Sequence, residues 1–142
     1  MIEQPFYLRE MMNIPELKGL YKVLDLKTTK LEFSWLEENF QLPWGQIDWS
    51  RVDESNSIKI NYWSNDQIGE YLLSLSLPEI NASWSIIWSD FDLGITMPFI
   101  QVCKFIENIW YPAKSNVWII SPNKDCCVEI THESFLSHAL LK

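Results

Sequence analysis

The chain has 142 residues, 47% of them hydrophobic and 14% aromatic, with a formal net charge of −8 and a pI near 4.7. That length suits one domain, residues 1–142, able to bury about two thirds of its unfolded surface. The acidity sets the chain against nucleic acid, whose phosphates such a surface repels, and against anionic membranes.

In chain order, Met1 to Pro15 lacks a basic segment followed by an apolar one, so no signal peptide is expected there. No apolar run approaches the roughly 20 residues of a membrane helix, and a cytoplasmic protein is expected. Pro5 to Met12 suits a short helix carrying Phe6, Leu8, Met11 and Met12, ended by Pro15. Leu20 to Leu26 alternates loosely and reads as a first strand. Leu31 to Phe40 fits strand and helix equally.

The centre has period-2 patterns. Ser57 to Ser64 places Ile58, Ile60 and Tyr62 on one face and Trp63 on the other, with a turn expected at Asn65-Asp66. Glu70 to Leu77 aligns Tyr71, Leu73, Leu75 and Leu77. Ser83 to Asp90 aligns Trp84, Ile86 and Trp88. Three such segments in succession predict an antiparallel meander with one buried face. From Pro98 to Trp110 the period changes: Phe99, Val102, Cys103, Ile106, Ile109 and Trp110 give a helical stripe, with Thr96 a candidate cap and Pro112 a stop. Asn116 to Ser121 and Cys126 to Thr131 predict a hairpin across residues 122–125. Thr131 then caps a last helix with Phe135, Leu136, Ala139 and Leu140 as its stripe. The fold class expected is α+β: an antiparallel sheet, meander plus C-terminal hairpin, with helices packed on one face.

Little points to catalysis. His132 and His138, the only histidines, are six apart and do not share a helix face as a zinc pair would. The three cysteines (Cys103, Cys126, Cys127) read as core or strand residues of a reduced protein. A Cys/His nucleophilic pair has no supporting context. Gly-x-Ser-x-Gly, P-loop and Gly-x-Gly-x-x-Gly patterns are all missing from the sequence. Asp90-Phe91-Asp92-Leu93-Gly94 reads as a strand-to-loop junction rather than a kinase Asp-Phe-Gly. No catalytic residue, metal ligand or cofactor is therefore assigned, and the chain is expected not to be an enzyme.

The informative pattern is one of charge and aromatic rings. Between Lys59 and Lys104 there is no Lys or Arg, while Asp66, Glu70, Glu79, Asp90 and Asp92 alternate with Trp63, Trp84 and Trp88. From Glu32 to Glu54, six carboxylates stand against Arg51 alone, with Trp35, Trp44 and Trp49 interleaved. Such an anionic, aromatic surface suits a basic protein partner: carboxylates steer the encounter, and aromatic anchors slow release. The expected charged contacts are Asp66, Glu70, Asp90 and Asp92. The expected anchors are Trp49, Tyr62 and Trp63.

Three segments carry a family likeness: Trp84-Ser85-Ile86-Ile87-Trp88-Ser89-Asp90-Phe91-Asp92, the amphipathic helix after Pro98, and the hairpin Val117-Trp118-Ile119-Ile120 with Val128-Glu129-Ile130. With the size and charge, they resemble the immunity proteins of bacterial toxin systems, including contact-dependent inhibition. The resemblance implies a cytosolic protein that binds one cognate, basic, nuclease-type toxin domain and blocks its active or partner surface, with no role for nucleic acid or membrane. It transfers no individual residue role and assigns no oligomeric state. A carbohydrate or small-ligand binding domain, and a small enzyme without a recognisable motif, stay open as alternatives.

Overall fold

A computed structural model describes residues 13–42, 45–89, 93–110 and 116–141 of the chain. The helix expected over Pro5–Met12, the stop at Pro112, and the side chains of Trp44, Asp90 and Asp92 lie outside the described residues. The strands are β1 (Lys22–Val23), β2 (Asn56–Lys59), β3 (Ser83–Trp88), β4 (Ile95–Pro98), β5 (Val117–Ile120), β6 (Cys126–Ile130) and β7 (Phe135–Leu140). The helices are α1 (Leu26–Asn39), α2 (Asn65–Ser74), α3 (Phe99–Lys104) and α4 (Ile106–Trp110), with short 3-10 turns at Pro15–Leu17 and Trp49–Arg51.

Among the described residues, the strands form one antiparallel sheet in the order β1-β4-β3-β5-β6-β7-β2. The α+β class holds, and so does the β5–β6 hairpin, which pairs Val117 with Ile130 and Ile120 with Cys127. The meander does not. β2 crosses to the far edge, where Ile58 faces Leu136 of β7, and β3 lies between β4 and β5.

Two segments adopt the opposite conformation to the one expected. Residues 70–77 form no strand. They fall in and just beyond α2, where Ile68, Gly69 and Leu72 are buried at helical spacing. Ser64 caps α2 by accepting from the Gln67 amide, and Gln67 returns the bond to the Ser64 amide. That reciprocal capping box starts the helix where a turn had been expected. Conversely, residues 135–140 are a strand, not a helix. Thr131 bonds Phe135 through both its backbone and its hydroxyl, and Ser134 sits at φ 69°, which closes a hairpin. β7 lies between β6 and β2 with residues 136–139 all buried, so the polar alternation that marks a half-exposed strand is missing.

The remaining corrections are smaller. Residues 20–26 contribute only the two-residue β1, because Asp25 caps α1 by accepting from the Thr28 amide at 2.7 Å. α1 settles the strand-or-helix ambiguity of residues 31–40. The stripe after Pro98 is broken at Phe105 into α3 and α4, and Thr96 lies within β4 rather than capping.

The sheet is covered on both faces, not one. On its first face Trp84, Ile86, Met97, Ile119 and Val128 meet Ile68 and Leu72 of α2, Val102 of α3 and Ile109 of α4. On its second face Ile87, Trp118, Ile120 and Cys127 meet Leu36 of α1, Phe40 and Ile47. Phe33 packs edge-on against Trp118, with ring centroids 5.7 Å apart.

The second face contains a polar centre. Glu129, in mid-β6 and almost fully buried, accepts hydrogen bonds from the Ile47 amide at 2.8 Å, Trp49 Nε1 at 2.9 Å and Trp118 Nε1 at 2.7 Å. Burial raises its carboxyl above the ordinary range, and the three donors pull against that rise. These bonds fasten the loop around residues 45–52 over the sheet.

Glu129→Ala should strand three buried N–H donors and leave a cavity, costing about 3–5 kcal/mol in urea unfolding. A loss below about 1 kcal/mol would show that the loop holds without this carboxylate. The raised carboxyl also sets a pH dependence. Its contribution is fully present below the unfolded value near 4.5 and is lost as pH rises through the folded value. Unfolding curves should therefore show Glu129→Gln gaining on the wild type as pH climbs from 4.5. A constant difference would contradict the assignment.

Candidate functional site

Most of the tryptophans are structural. Trp84 Nε1 donates to the Glu79 carbonyl at 3.0 Å, Trp88 to Ile109 at 2.9 Å and Trp110 to Thr131 at 3.1 Å. Trp49 belongs with them. Its indole N–H goes to Glu129 and its ring packs against Phe40 with centroids 5.9 Å apart, on the second face of the sheet. The structure does not join Trp49 to the other expected anchors, which lie beyond the first face. The half-buried Trp63 is different: its indole nitrogen has no hydrogen-bond acceptor among the described residues.

Tyr62, Trp63, Asp66 and Glu70 come together where β2 runs into α2. Ile60 fixes the approach: its side chain is in the core, its amide donates to the Ser134 carbonyl at 2.8 Å, and its carbonyl accepts from the Trp63 amide at 3.0 Å. Asn61 and Tyr62 thus occupy the middle of a tight turn. Tyr62 sits at φ 72°, a region that favours Gly or Asn, and the residue is 99% exposed. A bulky residue held left-handed with its ring wholly in water is strained and unshielded at once, and such outliers concentrate at binding sites.

The helix that follows is firmly placed. Besides the Ser64–Gln67 box, Asn65 donates to the Lys104 carbonyl at 2.8 Å and accepts from the Glu107 amide at 2.9 Å, tying the start of α2 to the break between α3 and α4. Gly69 lets α2 approach α3 closely, since a Cβ there would lie 2.4 Å from the Cys103 carbonyl oxygen.

α2 turns two adjacent stripes outward, and Glu70 belongs to both. Residues 67, 70, 71 and 74 join Trp63 around a pocket of about 350 Å³. Residues 66, 69, 70 and 73 join Ile100, Cys103 and Lys104 around a second of about 200 Å³. Trp63 and Tyr71 meet edge to face, with centroids 5.7 Å apart and planes at 79°. Leu73 and Ile100 are 43% and 42% exposed, which gives the second pocket an apolar rim.

Some carboxylates elsewhere are engaged, while others, among them the exposed Glu37, Glu38, Asp53 and Glu54, form no ion pair among the described residues. Glu32 pairs with Lys124, and Asp48 with Arg51 at 3.2 Å. Asp66 and Glu70 form no ion pair among the described residues and are exposed. Two carboxylates with no ion pair among the described residues, and with Lys104 as the one cation lining their shared pocket, thus stand beside an exposed tyrosine, a half-buried tryptophan and two exposed aliphatic side chains. This is an anionic surface with apolar anchors. The expectation of a strand over residues 70–77 placed Tyr71 and Leu73 on a buried face; Ile100 lies on the expected helix after Pro98 but outside its apolar stripe. The Ser64-Asn65-Asp66-Gln67 capping signal would have exposed the helix and its stripes.

The cysteines suit no nucleophilic role here. Burial pushes the thiols of Cys103 and Cys126 up to about 12, so both stay protonated at neutral pH. Among the described residues no group of three or more His, Cys, Asp and Glu side chains could hold a metal ion, and no helix is long and apolar enough to cross a membrane.

Compared with known proteins, the chain matches the family model described as CdiI immunity protein EcoliA0-like over residues 12–138. No curated protein and no solved structure matches it.

Proposed function

The chain belongs to this family of CdiI immunity proteins, which neutralise a cognate toxin in contact-dependent inhibition, and from that premise we propose that it binds its toxin through the surface around α2. Tyr62 carries the reading: a fully exposed aromatic in a strained turn, directly before a helix that presents unpaired Asp66 and Glu70. Tyr62 and Trp63 are the anchors, and Asp66 and Glu70 supply charge. We assign Asp90 and Asp92 to the same contact on charge alone. Trp49 we assign to holding the second face closed, because its indole N–H is already committed to Glu129.

The proposed partner is a basic, nuclease-type toxin domain. A nuclease cleft is cationic where phosphate lies, and a protein of net charge −8 that offers unpaired carboxylates competes for that place without imitating a nucleic acid in detail. The immunity protein acts by occupancy in the cytoplasm, as a single domain with no cofactor and no reaction of its own. Affinity follows from steering plus a few buried anchors rather than from area alone.

Tyr62→Asn separates binding from folding, because Asn tolerates the left-handed turn better than Tyr does. Its unfolding free energy should equal the wild type or exceed it by up to about 1 kcal/mol, while toxin affinity falls at least about tenfold, as for an interface anchor. Wild-type affinity in the variant would remove Tyr62 from the contact. Asp66→Asn, alone and with Asp90→Asn and Asp92→Asn, should slow association with the toxin and flatten its dependence on ionic strength, leaving dissociation nearly unchanged. Stopped-flow mixing from low to high salt checks this. An unaltered salt dependence would place the steering charges elsewhere.

A further inference from the structure

Resting on the docking reading above, we propose that the pocket framed by Trp63, Glu70 and Tyr71 receives one arginine side chain of the toxin. The pocket is a shallow, open depression of about 350 Å³ lined by five residues, with room for one side chain laid across it. The two rings, set edge to face, present both π surface and ring edge to whatever enters. A cation over either ring gains from its quadrupole.

The polar groups of the lining favour a cation further. Gln67 Oε1 is occupied by the Ser64 amide at 2.7 Å, and the Ser74 hydroxyl donates to the Tyr71 carbonyl at 2.6 Å. The charged acceptor that remains is the carboxylate of Glu70, unpaired among the described residues and standing on the ridge between the two pockets. A planar guanidinium can lie along an aromatic face and still present two parallel N–H groups to a carboxylate. An ammonium offers a point charge without the plane. An anion would meet Glu70 and the −8 of the whole chain.

The asymmetry between the two α2 carboxylates follows. Asp66, in the first turn beside Tyr62, is a rim charge that steers. Glu70, lining the pocket beside the rings, makes a contact that must break before the toxin leaves, so its loss is felt in dissociation.

The first arm of the test uses the full chain without toxin. Nα-acetyl-arginine amide is titrated while the indole N–H resonance of Trp63, assigned from Trp63→Phe, is followed by NMR. Ring and carboxylate contacts together imply saturation at millimolar concentration, on the order of 1–10 mM. The neutral citrulline analogue should give no saturable shift, the lysine analogue a weaker one, and Glu70→Gln should abolish the response. No saturation with the arginine probe, equal responses to arginine and citrulline, equal responses to arginine and lysine, or a response that survives Glu70→Gln each overturns the assignment.

The second arm uses the complex. Glu70→Gln should speed toxin dissociation about tenfold or more at little cost in association rate, the reverse of Asp66→Asn. An effect of Glu70→Gln on association alone makes Glu70 a rim charge and also overturns the pocket. Circular dichroism of Glu70→Gln, a change at an exposed helix position, shows that the fold is intact. Failure of the docking reading is seen separately: Tyr62→Asn would then leave toxin binding untouched whatever the probe does.

Discussion

A carboxylate in the middle of a sheet strand is costly to bury unless donors surround it, and Glu129 is kept there by one amide and two indoles. Those bonds do more than satisfy the charge. Ile47 and Trp49 belong to a stretch with little regular structure, and Glu129 supplies what a strand partner otherwise would: a fixed place over Trp118 and Cys127. With that loop and α1 closing the second face, the central strands β5 and β6 are buried on both sides, while the edge strands β1 and β2 stay largely exposed. The helices α2 to α4 then cover the first face, and α2 spends its inward residues, Ile68 and Leu72, on the core. Its outward residues, Asp66, Glu70 and Leu73, stay exposed.

What the sequence revealed and what it concealed follow from this double covering. β3 was legible because Ser83 and Ser85 on one side contrast with Trp84, Ile86 and Trp88 on the other. The β5–β6 hairpin was legible from its turn residues, Pro122 to Asp125, which need no periodicity to be recognised. β7 was hidden because Leu136 through Ala139 are all buried, which erases alternation and leaves a pattern that a helix imitates. α2 failed in the opposite sense. Tyr71, Leu73, Leu75 and Leu77 alternate by accident, Leu73 being exposed while Leu72 is buried, and the capping residues were the better guide.

The expected contact residues are not all brought together, for a related reason. Tyr62, Trp63, Asp66 and Glu70 are close in sequence, and a tight turn joined to a capped helix keeps close neighbours together whatever the topology. Trp49 lies only a few residues before β2, yet Glu129 draws it over the opposite face across 80 positions of chain. No local pattern announces a hydrogen bond of that range. The excess of tryptophan is explained for five of the eight by the acceptors of their indole N–H groups. Trp49, Trp84, Trp88, Trp110 and Trp118 all end on groups of the protein itself.

Strain and exposure at Tyr62 bear on the same question from the side of stability. A left-handed backbone costs a non-glycine residue roughly 1–2 kcal/mol, and a tyrosine ring in water returns none of it to the isolated fold. Ile60, bound to Ser134 and sunk in the core, and the capping of α2 hold the turn from both ends, so neighbouring structure imposes a conformation that Tyr62 itself disfavours. Such a turn is rigid before any partner arrives. Rigid presentation of an aromatic ring removes part of the ordering cost that binding otherwise carries. In the proposed complex, stability that the folded protein forgoes at Tyr62 would be recovered as affinity. On the proposed docking, an immunity protein that must capture its toxin before the toxin acts has use for that exchange: the ring would be in place already, and steering by Asp66 would need no rearrangement after it.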